Sequence, residues 1–244
     1  MEVKQIIWNG FDAVEFEFMG LPAKVVKPKC KPNGNWVLKT EYLDYFFDAD
    51  IEMLNRGYYL AYNTNYNRWA EPLDLERKVK FVDYVSKTFD LNQKCILSGM
   101  SCGGLYAVKI ASIIPEKIIG MYIDAPVMNL LSCPFAVGDK LHSQDIIDEY
   151  VRATGRTLSQ IISYREHPID KMPILLENNI PILLISGDSD RTVPYHENGK
   201  LLEDFYRNNG GKIKVIIKKG CDHHPHGLEN PVELVDELEN IINI

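Results

Sequence analysis

Apolar and polar positions follow two alternating periods along this chain. About eight short β-prone runs, at residues 14–18, 23–27, 36–39, 58–62, 94–98, 118–123, 182–186 and 212–217, are separated by stretches whose apolar residues recur at helical spacing. The first two runs flank Gly20-Leu21-Pro22 and predict a hairpin. Helices are predicted over 41–55, ended by Gly57, and over 73–89, where Leu75, Val79, Val82 and Val85 share a side. Leu105, Val108, Ile110 and Ile113 predict a further helix over 102–114. Two more are predicted over 197–208 and 231–242, the last opening on Pro231.

Strands alternating with helices require crossover connections. The expected fold class is therefore α/β: a mostly parallel sheet of about eight strands, antiparallel pair first, with helices on both faces. One region breaks the rhythm. Residues 127–173 lack a good strand pattern, while 144–153 and 158–164 read as helical. This insertion at the carboxyl edge of the sheet is either a small helical cap or a pair of packing helices. The 244 residues are expected to form one domain carrying it.

Composition narrows the partners. Apolar residues make up 45% and charged residues 25%, enough for a sizeable core and unlike a disordered chain. The net charge is −7 with no basic stripe, so a nucleic-acid partner is not expected. No apolar run is long enough to span a bilayer, so no membrane partner is expected either. The first ten residues, with Glu2 and a short apolar run, lack a secretory pattern, and a cytoplasmic location is expected. Five cysteines (Cys30, Cys95, Cys102, Cys133, Cys221) are odd in number and irregularly spaced, with no Cys-x-x-Cys pair, which supports neither a zinc nor a redox site.

The chemistry concentrates after three strands. Residues 94–98 lead into Gly99-Met100-Ser101-Cys102-Gly103, a Gly-x-Ser-x-Gly turn between strand and helix. Such a turn presents a serine hydroxyl at a helix N-terminus, with glycines allowing close backbone approach. Run 182–186 leads into Gly187-Asp188-Ser189-Asp190, followed by Val193-Pro194. Asp190 is the preferred acid, Asp188 the expected turn cap, and Asp124, after run 118–123, a third candidate. Run 212–217 leads to His223, His224 and His226. His223, first after Gly220, is the expected base, with His224 and His226 as alternatives. Serine, acid and histidine thus follow in order, each after its own strand. The three histidines are too tightly spaced for helix-borne metal ligands, so no metal or other cofactor is expected. For the oxyanion, the expected donors are the Cys102 amide and a group after run 36–39, Thr40 or Glu41. Tyr58, Tyr59, Tyr62, Tyr66 and Trp69 are candidate pocket or packing residues, as are Met128, Phe135, His142 and Tyr164 in the insertion.

The turns at Ser101, at Asp190 with Val193-Pro194, and at Gly220-Cys221-Asp222-His223 resemble the signature turns of the α/β-hydrolase superfamily. The stretches 36–42, 122–127 and 223–228 resemble small bacterial hydrolases loosely akin to prolyl-oligopeptidase-like esterases. Relatives in that group often carry arginine where Lys39 stands, and arginine or glutamine where Cys102 stands. The resemblance implies serine-dependent hydrolysis of a small-molecule ester, such as an acyl ester on a carbohydrate or plant-derived compound. A peptidase or amidase is the alternative, and nothing in the sequence indicates oligomeric state.

Overall fold

The computed structural model describes residues 3–243. Met1 and Glu2, on which part of the cytoplasmic expectation rests, and Ile244 lie outside them. The strands are β1 (Val3–Trp8), β2 (Phe11–Phe18), β3 (Leu21–Val26), β4 (Trp36–Lys39), β5 (Tyr59–Asn63), β6 (Cys95–Met100), β7 (Ile118–Asp124), β8 (Ile182–Gly187) and β9 (Ile213–Lys218). The helices are α1 (Asp48–Asn55), α2 (Pro72–Thr88), α3 (Cys102–Ile113), α4 (Gln144–Thr154), α5 (Leu158–Ser163), α6 (Met172–Glu177), α7 (Gly199–Asn208) and α8 (Pro231–Ile242). The strands form one sheet in the order β1-β2-β3-β5-β4-β6-β7-β8-β9. The pairs from β1 to β3, and β3 with β5, are antiparallel; all pairs from β5 through β4 to β9 are parallel.

Two cores result, one on each face of the sheet. Residues of α2 and α3, together with parts of α4 to α7, pack with Trp36, Leu38, Leu97, Met121, Ile123 and Leu184. On the other face α1 and α8 pack with Val37, Ile96, Leu183 and Ile185. The alternation of side chains along each strand distributes successive residues between these cores. Because β6 is buried along its whole length, its run is apolar on both faces rather than alternating.

Three elements differ from the sequence-based expectation; one is the short helix α6, which falls where no helix is expected. A ninth strand, β1, pairs with β2 through a tight turn at Asn9-Gly10, both with positive φ (45° and 83°). Asn-Gly is the strongest short hairpin signal, but the exposed pattern of β1 lacks the apolar face that would mark it as a strand. The helix expected over 41–55 begins only at Asp48. Residues 41–47 form a loop in which Tyr42 and Phe46 adopt positive φ (56° and 49°). The Lys39 ammonium is completely buried and donates to the Tyr45 and Phe46 carbonyls at 3.3 and 3.4 Å, and to the Asp50 carboxylate. Those carbonyls are thereby drawn toward the ammonium, and the loop is pinned to the end of β4.

The Lys39–Asp50 pair excludes water on both sides, and burial pushes the Asp50 carboxyl upward against the opposing pull of Lys39. Loss of one partner strands a charge. Lys39→Ala should therefore destabilise the fold by about 3–5 kcal/mol in urea titrations. The double change Lys39→Met with Asp50→Leu should recover most of that loss; recovery of none would show that the pair does not hold the loop as described.

Candidate active site

β6 ends in a turn that no ordinary residue favours. Ser101 has φ 54° and ψ −119°. Its amide donates to the Asp124 carbonyl at the end of β7 (2.9 Å), and its carbonyl accepts from Val127 and Gly104 (3.0 Å each). The glycines are explained by contact. A Cβ at Gly99 would overlap the Gly103 carbonyl, and one at Gly104 would overlap Pro126. The elbow is thus locked to the neighbouring strand and tightly closed.

The Ser101 hydroxyl lies 3.1 Å from His223 Nε2. His223 Nδ1 lies 2.7 Å from Asp190 Oδ2, and both side chains are buried. The second Asp190 oxygen accepts from the Thr192 and Val193 amides, at 2.8 Å each, which fixes the carboxylate in its turn. The structure therefore brings Ser101, Asp190 and His223 together. Asp188 stands apart, capping the turn through Gly220 N–H (2.7 Å) and Ser189 Oγ (3.0 Å). Asp124 pairs instead with His226, at 3.0 Å. His224 and His226 line the same cavity, but the nitrogen beside Ser101 belongs to His223. This arrangement can pass the serine proton to an imidazole whose tautomer the carboxylate holds. Cys102, next to the serine, is no competing nucleophile: burial pushes its thiol well above the ordinary range.

One expected donor is corrected. The Thr40 amide is bonded to the Ser98 carbonyl at 2.9 Å, and its hydroxyl donates to the Gly103 carbonyl at 2.7 Å and to Ser98. The sheet ladder runs one residue further than the β4 pattern indicates, so Thr40 has no free N–H for an oxyanion. The following residue, Glu41, has its amide close to the elbow, 3.6 Å from a Cβ placed on Gly103. The Cys102 amide opens α3 and has no backbone acceptor among the described residues.

The cavity over Ser101 has a volume of about 410 Å³. Tyr42, Tyr45 and Phe46 enter it from the loop pinned by Lys39, Cys133 and Ile146 from the segment between β7 and β8, and Thr192 and Val193 from the acid turn. Arg68 and Trp69 also line it, and both donate to the Glu149 carboxylate of α4, at 2.8 and 3.1 Å. Of the candidate pocket residues only Trp69 lies here. Tyr58 packs on the opposite face and donates to Glu239, Tyr66 is exposed, and Tyr164 lines a different cavity beside Lys109. Tyr59, Tyr62, Met128, Phe135 and His142 are not among the lining residues. The aromatic run Tyr42 to Phe47, directly after a strand that ends at the crevice, is the signal that the helix expected over 41–55 obscured.

The strand order, the strained serine turn and the acid and histidine loops define an α/β hydrolase of the serine type. Residues 55–243 match the prolyl oligopeptidase family, and the chain belongs to that family. Among solved structures it is similar to puromycin hydrolase, with 17% identity and a TM-score of 0.68 over 98% of this chain and 38% of that one. It is also similar to the acylaminoacyl peptidase of Pyrococcus horikoshii, with 12% identity and a TM-score of 0.65 over 99% of this chain and 40% of that one. The chain thus spans about two-fifths of the length of these two. Est1E from Butyrivibrio proteoclasticus matches at 16% identity with a TM-score of 0.61, over 99% of this chain and 96% of that one. Among the described residues no helix is long and apolar enough to cross a membrane.

Gly99→Ala tests the elbow. Its Cβ must displace the first turn of α3, and a displacement of ~1 Å at a reacting atom costs about 100-fold in rate. The rate at which a fluorophosphonate labels Ser101 should fall by about that factor while far-ultraviolet circular dichroism stays native.

Proposed function

We propose that the protein is a serine hydrolase of small, uncharged carboxylic esters, acting through an acyl-enzyme. The observation that carries this reading is the continuous contact from Ser101 Oγ to His223 Nε2, 3.1 Å, and from His223 Nδ1 to Asp190 Oδ2, 2.7 Å. Ser101 attacks the acyl carbon as His223 takes the hydroxyl proton. Negative charge on the carbonyl oxygen is met by the Cys102 amide, with the Glu41 amide as the second donor. Each such donor is worth about 3 kcal/mol of barrier. The tetrahedral species collapses as His223 returns the proton to the leaving alcohol. A water molecule then repeats the sequence to free Ser101. Asp190 keeps the Nδ1 proton in place and stabilises the imidazolium.

The lining of the cavity supports an ester. None of the lining residues is a carboxylate that could pair with the free amine of a peptide. Its one permanent cation, Arg68, is already matched by Glu149. What remains is aromatic and aliphatic surface from Tyr42, Tyr45, Phe46, Trp69, Ile146 and Val193, suited to a neutral acyl group. A peptidase reading is favoured by the family match. The same histidine would protonate an amine leaving group, so substrate comparison must separate the two.

On a short-chain aryl ester, Asp190→Asn should reduce kcat by about 10⁴-fold and Ser101→Ala by about 10⁶-fold, with the fold intact. Full turnover by Ser101→Ala would end the proposal. On matched acyl groups, kcat/KM for the ester should exceed that for the aminoacyl anilide by more than intrinsic reactivity explains. The reverse order would establish the peptidase reading instead.

A further inference from the structure

Hydrolysis leaves one Asp–His pair of this cavity unused. His226 is buried beside His223, their ring centroids 4.8 Å apart. His226 Nδ1 lies 3.0 Å from Asp124 Oδ1, while Asp124 Oδ2 accepts from Gly227 N–H at 2.6 Å. The Tyr122 hydroxyl and the Lys218 ammonium approach that second oxygen at 3.5 and 3.8 Å. Two imidazoles therefore have Nδ1 tied to a buried carboxylate, His223 to Asp190 and His226 to Asp124. In each, Nε2 is the nitrogen left to bind something else. His224 joins them from the solvent side, exposed and stacked on Phe46, with its ring 4.8 Å from that of His223 and 5.0 Å from that of His226. One ring nitrogen from each histidine lies within 4.8 Å of the other two.

We propose that His223, His224 and His226 form an inhibitory Zn²⁺ site at the mouth of the cavity, in which the metal takes the imidazole nitrogen that faces Ser101. Three imidazoles with no carboxylate ligand suit Zn²⁺ and do not suit Mg²⁺ or Ca²⁺. Buried carboxylates behind histidine ligands fix the ring orientation and raise its basicity, and here two of the three ligands have one. The tight spacing of the histidines in sequence argues against a metal only while the site is viewed as one loop. The fold supplies the supporting carboxylates from β7 and from the turn after β8. With Zn–N near 2.1 Å, tetrahedral ligands lie about 3.4 Å apart, so the present spread must contract by at most about 1.4 Å. His224, the exposed member of the three, supplies most of that movement. Water fills the fourth position. His223, once ligated, accepts no proton from Ser101.

The inhibition rests on the proposed serine chemistry; metal binding does not. The experiment reads both. Chelator-treated protein is titrated with ZnCl₂ by calorimetry, while aryl-ester turnover and fluorophosphonate labelling of Ser101 are followed in parallel. The expected result is one Zn²⁺ per chain. Turnover and labelling should fall together by at least roughly tenfold at saturation, recover with EDTA, and stay unaffected by equal Mg²⁺ or Ca²⁺. Asp124→Asn should weaken Zn²⁺ binding by about 10–100-fold. Because Asp124 is buried, His224→Ala provides a surface variant with the same expected direction. Absence of stoichiometric binding, binding unchanged in His224→Ala, or Zn²⁺ bound while Ser101 labels at its full rate would each overturn the site. Zn²⁺ bound by a chain that neither labels nor turns over would instead sink the serine chemistry and leave the metal site standing.

Discussion

Ser101 sits in a backbone conformation that costs a non-glycine residue about 1–3 kcal/mol, and the surrounding fold is built to hold it there. Its amide and carbonyl are both taken by the segment that ends β7. The helix that follows can start immediately because Gly99, Gly103 and Gly104 carry no Cβ where Gly103, Thr40 and Pro126 press in. The consequence is geometric. A serine in an ordinary strand-to-helix loop would point with its neighbours. Here the hydroxyl stands clear of them, 3.1 Å from an imidazole 122 positions further along the chain.

The device that holds His223 beside Ser101 occurs twice in this crevice. In each case a buried carboxylate at or just after the carboxyl end of a parallel strand accepts from backbone N–H on one oxygen and meets a histidine with the other. Asp190 does so after β8, with the amides of Thr192 and Val193. Asp124 does so at the end of β7, with the amide of Gly227. The parallel sheet makes the doubling possible, since adjacent parallel strands end on the same side and place their following turns in one crevice.

Substrate choice depends on different parts of the molecule from the reacting groups. The walls come from the loop after β4, pinned by the buried Lys39 ammonium, and from the segment between β7 and β8, where Glu149 holds Arg68 and Trp69 in place. Both are held by ion pairs rather than by the sheet ladder. Walls of this kind can change without disturbing the elbow.

By itself the sequence determined the alternation of strands and helices, the serine turn and the order of acid and histidine. These are local patterns: period, glycine at a crowded turn, a polar residue directly after an apolar run. It left open which of Asp188, Asp190 and Asp124 meets which histidine, because that depends on where three separate turns end relative to one another. It misplaced the start of α1, and in the loop after β4 it offered Thr40, whose amide is taken, beside Glu41. Helical spacing in residues 41–47 says nothing of a lysine ammonium buried beneath their carbonyls, and a strand's last hydrogen bond, which occupies the Thr40 amide, is decided by its neighbour. The pairing of His226 with Asp124, 102 positions apart, was likewise invisible until the sheet brought β7 beside the histidine loop. Contacts of that kind carry no period in the chain, so only tertiary structure could decide them.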